Sequence, residues 1–236
     1  MGIIYRLFHQ SIIKYYDHII SLGYNCEVAY HLFKHNRFLE SNLFAWTYIP
    51  SWQTTIETLS NIDLIGSEGF SGPDESIMYT CNATKIRFHG KTKRKEFQND
   101  PSKYQTDKEE LISRVSFLKN KFVSVVQENT KKLYIVKIRS QETNIEEKIE
   151  TLMSLLKAQN NGQFDLLVIL EEAFLKSISS LPSKENLYFR TVPFFAPDSS
   201  VTSKRPNFKQ WQRIFDEFMP RYKLKKTKKY KFEDTE

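Results

Sequence analysis

The stretch Asp17-His18-Ile19-Ile20-Ser21-Leu22-Gly23-Tyr24-Asn25-Cys26 decides the start of the fold. Its apolar run over 17–22 predicts a buried β-strand, and Gly23 marks the end of that strand. After Cys26, apolar residues recur at helical spacing, at Val28, Ala29, Leu32 and Phe33. The sequence therefore predicts a strand, a turn and an amphipathic helix over 26–36, with Asn25 as the helix cap.

Farther along the chain, short apolar runs alternate with stretches of helical periodicity. We predict strands at 133–138, 164–170 and 187–192, and helices at 51–62, 108–126, 145–158 and 208–218. Loops are predicted at 66–74 and, as a mobile segment, at 90–107; β-favouring residues lie between them within 77–88. The alternation from 133 onward indicates parallel strands with helices on the sheet faces. The predicted fold class is α/β, with α+β as the alternative, in one domain over 1–220.

Composition limits the class of protein. The 236 residues are 40% hydrophobic and 14% aromatic, with 7 Gly and 8 Pro, which is typical of a globular chain and not of a disordered or fibrous one. No window holds the roughly 18 apolar residues of a membrane helix, and we expect no signal peptide. The two cysteines are too few for a disulfide framework or a cysteine-rich zinc site. We therefore expect a cytoplasmic protein without a bound metal.

The positive charge is concentrated at the carboxyl end. The net charge is +7, and the segment 221–231 (RYKLKKTKKYK) carries seven basic residues and no acidic one, so the remaining chain sums to zero (7 − 7). We interpret 221–236 as a basic tail, either a solvated terminus or a peripheral contact with anionic membrane. The body of the chain gives no sign of specific nucleic-acid binding.

Cys26 is the best candidate for chemistry. It lies at the predicted start of a helix, where the helix dipole stabilises a thiolate and lowers a cysteine pKa from its usual value of about 8.5. The first backbone N–H groups of such a helix also suit an oxyanion. The alternative is an inert core cysteine, which is the simplest interpretation of Cys81 in its predicted strand.

The residues around Cys26 resemble a known family. The segment Ser21-Leu22-Gly23-Tyr24-Asn25-Cys26, followed by Leu43-Phe44-Ala45-Trp46, resembles the DUF1796 family of bacterial papain-like cysteine peptidases. A histidine at the end of a later strand and an apolar strand closing on arginine also match the order of elements in that family, at His89 and Arg139. The resemblance extends loosely over 17–172 and is specific around Cys26.

The resemblance implies a papain-related domain and a thiol enzyme that needs no cofactor. Cys26 would be the nucleophile and His89 the base that activates it. Asp165 is the first choice for a third residue that orients the imidazole, with Asp198 and Asn207 as alternatives. The predicted substrate-binding residues are Gly23, Asn25 and Arg139, with Asn25 as an oxyanion donor and Arg139 either holding an anionic group or forming a surface ion pair.

A second hypothesis comes from two departures from the family pattern. Ala45 stands where the family has an acidic residue, and Ile20 stands where papain-like peptidases place a glutamine. Families with this outline often occur beside genes for surface polysaccharides. The alternative function is therefore acyl or glycan transfer, with coenzyme A as the carrier, or anion binding in polysaccharide biosynthesis. A third hypothesis is a non-catalytic scaffold that its basic tail tethers to anionic lipid.

Overall fold

The structure is a computed structural model that describes residues 16–35, 41–74, 78–91, 100, 102–140, 142–178, 181–196 and 207–219. Within these ranges the elements in chain order are β1 (His18–Ser21), α1 (Glu27–Lys34), β2 (Thr47–Tyr48), α2 (Trp52–Ser60), β3 (Phe70–Ser71), β4 (Met78–Cys81), β5 (Arg87–His89), α3 (Lys103–Gln127), β6 (Lys132–Ile138), α4 (Ile145–Gln159), β7 (Phe164–Glu171), α5 (Glu172–Ser177), β8 (Leu187–Val192) and α6 (Phe208–Phe218). The predicted basic tail at 221–236 and the candidate residue Asp198 lie outside the described residues.

Four strands form a parallel sheet in the order β1-β6-β7-β8. Ile19 pairs with Leu133, and Leu133 pairs with Asp165, so the three strands run side by side in the same direction. Helices connect and cover these strands, because parallel neighbours need a crossover connection between them. The predicted α/β fold with a parallel sheet flanked by helices is confirmed.

The second sheet is antiparallel and has the order β2-β5-β4-β3. Its strands are short, and β5 lies between β2 and β4. Thr47 pairs with Phe88, and Met78 pairs with His89. The strands of this sheet lie between α1 and α3 in the chain, with α2 between β2 and β3. The last residue of β5, His89, reaches the turn that follows β1.

Both faces of the parallel sheet are covered, and the alternation of side chains along its strands assigns residues to two cores. On one face, buried residues of β6 and β7 pack against α1 and α6: Leu133, Ile135, Leu167 and Ile169 meet Val28, Leu32, Trp211 and Phe215. On the other face, the alternate residues pack in one cluster with α3, α4 and the antiparallel sheet: Tyr134, Val136, Leu166 and Val168 meet Leu111, Ile149, Leu156 and Phe88.

Two loop predictions were wrong. Helix α3 begins at Lys103, inside the stretch predicted as a mobile loop over 90–107. The reason is tertiary, because Asp107 is only 4% exposed and its carboxylate accepts the backbone N–H of Lys91 at 2.9 Å. Strand β3 lies inside the predicted loop at 66–74, where Phe70 pairs with Cys81.

Among the helices in the described ranges, none has the length and apolar content that crossing a membrane requires.

Candidate active site

The turn between β1 and α1 is held in a fixed shape. Leu22 still pairs with β6 through its N–H, and Gly23 and Tyr24 then turn the chain with φ angles of +86° and +85°. A side chain at position 23 would meet the side chain of Ile49 and would have to adopt a φ angle that residues other than glycine rarely take, which favours glycine there. The N–H of Ile49 donates to the carbonyl of Tyr24 at 2.8 Å, which closes the turn. Gly23 therefore shapes the backbone that carries Cys26.

Asn25 is 3% exposed and uses its side chain within the protein. Its Oδ1 accepts the backbone N–H of Glu27 at 3.0 Å, which satisfies the first amide of α1. The residue at the cap position is Cys26, not Asn25 as predicted, and its own side chain makes no capping bond. Asn25 thus stabilises the start of α1. Its side-chain oxygen accepts the N–H of Glu27, which is one of the backbone N–H groups that were expected to bind an oxyanion.

The thiol of Cys26 and the imidazole of His89 are in contact. The distance from Sγ to Nε2 is 3.4 Å, although 63 residues separate the two positions in the chain. Cys26 is half-buried and packs with Trp46 against a small cluster formed by Tyr30 and Ala196. Cys26 follows a strand of the parallel sheet and His89 ends a strand of the antiparallel sheet, so this contact forms where the two sheets meet.

The surroundings of His89 favour the neutral imidazole. Its backbone carbonyl accepts a hydrogen bond from Arg114 of α3, which anchors the end of β5. His89 is an exposed residue at the end of β5, and its pKa is lowered, first because neighbouring groups displace part of the water around the ring, and then because Arg114 and Arg87 carry positive charge nearby. Asp74 acts in the opposite direction. A neutral ring at neutral pH can accept a proton from the thiol.

Arg139 follows β6 and lies beside the turn that presents Cys26. Its guanidinium carbon is 4.0 Å from the centre of the Tyr24 ring, and Tyr24 precedes Cys26 by two residues. Stacking on an aromatic face fixes the plane of a guanidinium. The structure thus brings Cys26, His89 and Arg139 to the same end of the molecule.

A buried ion pair next to Cys26 was not predicted. Oε2 of Glu27 lies 2.6 Å from Nζ of Lys137, and the two side chains are 1% and 0% exposed. The sequence did contain a signal for it, because Lys137 interrupts an apolar strand where an unpaired charge is costly. The partner, however, depends on how α1 packs on β6, which the sequence pattern does not specify.

Asp165 is not the third residue of this site. It lies near the start of β7, level with Ile19 of β1, whereas Cys26 follows the far end of β1. Six residues at about 3.3 Å each separate Asp165 from the carboxyl end of β7, a span of roughly 20 Å. Its carboxylate accepts a hydrogen bond from the hydroxyl of Tyr16 at 2.5 Å. The presence of Asp165 in an apolar strand is therefore explained by a structural hydrogen bond with Tyr16.

Of the other candidates for the third position, Asp198 lies outside the described residues and Asn207 forms its hydrogen bond elsewhere. The amide of Asn207 donates to the carbonyl of Phe194 at 2.6 Å, near the start of α6. Asp74, which the sequence did not indicate, is a carboxylate whose charge acts on His89. Its oxygens accept the N–H of Met78 and pair with Arg87. Asp74 therefore steadies the strands around His89, and its pairing with Arg87 holds a negative charge near the ring.

In the parts of the chain that the structure describes, no three or more His, Cys, Asp or Glu side chains are grouped in a way that could hold a metal ion. No protein-family model, curated protein or solved structure matches this chain. The resemblance to the DUF1796 family thus rests on the residues quoted above and stays a prediction. The chemistry of the site has to be argued from its own geometry.

Proposed function

We propose that this protein is a thiol enzyme in which Cys26 attacks the carbonyl carbon of an acyl, amide or ester group and His89 accepts the thiol proton. The observation that carries the proposal is the 3.4 Å contact between Sγ of Cys26 and Nε2 of His89. A nucleophile within hydrogen-bond reach of a base is the arrangement by which proteins activate a thiol.

The reaction has two halves. In the first, the proton of Cys26 moves to His89, the sulfur–carbon bond forms, and the bond to the leaving group breaks as His89 returns the proton to it. The product is a thioester between Cys26 and the acyl group. In the second half, water or another acceptor attacks the thioester carbon and loses a proton to His89, which protonates Cys26 again. Water gives hydrolysis, and any other acceptor gives acyl transfer.

The position of the site in the fold supports this proposal. Cys26 follows β1 and Arg139 follows β6, so both lie at the carboxyl ends of adjacent parallel strands. Ligands of open parallel sheets bind at this end, because the loops there are free to surround them. Cys26 is half-buried, which suits a thiol that has to meet substrate while bulk water is partly excluded.

A second proposal is transfer of an acyl group from an anionic carrier, such as coenzyme A, in the assembly of a surface polysaccharide. The observation that favours it is Arg139, whose guanidinium is held on the Tyr24 ring beside the nucleophile. A planar cation at that place suits a phosphate or carboxylate on the substrate. Both proposals share the thioester on Cys26 and differ in the acceptor.

The experiment is acylation by p-nitrophenyl acetate, followed by p-nitrophenol release and by mass spectrometry of the Cys26 peptide. We expect an acetyl thioester on Cys26 that is absent in Cys26→Ser and forms much more slowly in His89→Ala. Decay of the thioester in buffer, compared with decay in the presence of coenzyme A, separates hydrolysis from transfer. Acylation that is equally fast without His89, or that occurs elsewhere, would overturn the proposal.

A further inference from the structure

The Glu27–Lys137 pair joins three parts of the carboxyl edge of the parallel sheet. Glu27 stands in the first turn of α1, directly after Cys26, and Lys137 stands near the end of β6. Oε2 of Glu27 binds Lys137, while Oε1 accepts the backbone N–H of Ala196 at 3.1 Å, in the segment after β8. One carboxylate therefore ties the start of α1 to β6 and to the chain that leaves β8.

This connection reaches the thiol directly. Ala196 belongs to the small cluster against which Cys26 packs, so the hydrogen bond from Ala196 to Glu27 fixes one wall around the sulfur. Lys137 is enclosed by aromatic rings, with Nζ 4.6 Å from the centre of Phe195 and 5.7 Å from the centre of Tyr24. The charges of the pair are therefore fixed in place and largely shielded from water.

Charged groups from different elements lie at this end of the parallel sheet. They are Glu27 from α1, His89 from β5, Lys137 and Arg139 at the end of β6, and Glu171 at the end of β7. Glu171 accepts the backbone N–H of Phe195 at 2.9 Å. Glu27 is the acid nearest in the chain to the thiol, and an uncompensated negative charge there would oppose formation of a thiolate.

We propose that Glu27 and Lys137 form a positioning pair that holds Cys26 and the 194–196 segment together, and in which Lys137 cancels the negative charge of Glu27 beside the thiol. The inference rests on the proposed function, since it assigns the pair a role in preparing Cys26 for attack. Its electrostatic consequence can nevertheless be measured on the thiol itself, with or without His89.

The two single variants should shift the pKa of the Cys26 thiol in opposite directions. In Lys137→Met the carboxylate of Glu27 remains, because the helix N-terminus and the Ala196 N–H favour its ionised form, and thiolate formation becomes harder. In Glu27→Gln the side chain still offers an oxygen to Ala196, and the two aromatic rings favour the ionised Lys137. Thiolate formation then becomes easier. The double variant Glu27→Gln/Lys137→Met removes both charges and should behave like the natural protein.

The test is the pH midpoint of Cys26 alkylation by iodoacetamide, followed at the Cys26 peptide by mass spectrometry, with the buried Cys81 as internal control. We expect the midpoint to rise by about one pH unit in Lys137→Met, to fall in Glu27→Gln, and to return in the double variant. A general loosening of the site would move both single variants in the same direction, and that result would overturn the proposal. If Lys137→Met does not fold, the alkylation midpoint of Glu27→Gln alone tests the proposal. A midpoint that rises or stays the same in that variant would overturn the proposal.

The same variants are made in a His89→Ala background. If His89→Ala leaves the alkylation of Cys26 unchanged, the proposed function fails. The opposite shifts of Lys137→Met and Glu27→Gln would still support the positioning pair in that case. If the shifts vanish while the dependence on His89 persists, the pair is structural only and the proposed function stands.

Discussion

The two ends of the parallel sheet differ in what their polar groups do. At the amino end a cleft of about 910 Å³ is lined by Lys131, Lys157, Lys184, Asp165 and Tyr188, among others. At the carboxyl end Cys26 meets His89 from the second sheet, and Arg139 lies on Tyr24 beside them. This cleft lies at the end of the sheet opposite to the thiol.

The polar groups at the amino end are bonded to their own surroundings. Asp165 accepts from Tyr16, Lys184 pairs with Glu150, and Lys132 donates to the carbonyl oxygens of Glu128 and Thr130. Contacts of this kind hold strand starts and loops in place. The carboxyl end instead brings the thiol of Cys26 into contact with an imidazole from another element. The candidate site is therefore assigned by the nature of its contacts and not by the size of a cleft.

The largest expected effect is a difference in the rate of Cys26 acylation between variants at the two ends of the parallel sheet. His89→Ala should lower the rate of Cys26 acylation by roughly 100-fold or more, because a positioned general base contributes that much. Asp165→Asn should leave the rate unchanged, because Asp165 lies at the other end of the sheet. The measurement is p-nitrophenol release from p-nitrophenyl acetate by the folded variants. An equal loss in both variants would remove the functional distinction between the two ends.

The next effect compares two buried lysines of one strand. Lys137→Met leaves Glu27 without its partner and should lower the free energy of unfolding by about 3–5 kcal/mol. Lys132→Met removes hydrogen bonds to two backbone carbonyls but leaves no buried carboxylate unpaired, so about 1–2 kcal/mol is expected. Urea unfolding of both variants provides the comparison. Equal losses would mean that the Glu27–Lys137 pair is no more important to stability than ordinary hydrogen bonds.

A smaller effect belongs to the amino end. Tyr16→Phe removes the hydrogen bond to Asp165, a carboxylate that is 7% exposed, and should cost about 1.5–3 kcal/mol of unfolding free energy. The alkylation rate of Cys26 should not change. Urea unfolding and Cys26 alkylation are measured on the same preparation. A changed alkylation rate in a folded Tyr16→Phe variant would show that the two ends are coupled.

The smallest effect is on the pH dependence of stability. The folded-state pKa of His89 lies below its usual value of about 6.5, so the unfolded chain takes up a proton first as the pH falls. The contribution of His89 to stability is therefore present above about pH 6.5 and is lost as the pH falls toward the lower folded-state pKa. Unfolding free energies at several pH values should show a steeper acid loss in the natural protein than in His89→Gln. A steeper loss in the variant would contradict the lowered pKa.

Local sequence patterns predicted the start of the site well. The apolar run over 17–22, the glycine at 23 and the helical spacing after Cys26 depend on interactions between near neighbours, and the structure has β1, a turn with positive φ angles, and α1 there. The start of α3 at Lys103 was missed because a polar segment is held in place by a tertiary contact, the bond from Lys91 to Asp107.

The partners across the site depend on long-range packing. His89 was predicted from a family resemblance, and its contact with Cys26 arises from the way the two sheets meet. Asp165 and Lys137 gave the same kind of signal, a charge within an apolar strand, but they lie at opposite ends of their strands. Sequence alone does not say which partner each charge finds. For this reason Asp165 was misassigned and Lys137 was overlooked.

The central claim is that Cys26 and His89 act together. It is tested most directly by the pH dependence of Cys26 alkylation in the natural protein and in His89→Ala. We expect a midpoint below the ordinary thiol pKa of about 8.5 in the natural protein, and in the variant a slower reaction whose midpoint moves toward that value. A midpoint near 8.5 (about the ordinary value) in both proteins would contradict the claim and make Cys26 a structural cysteine.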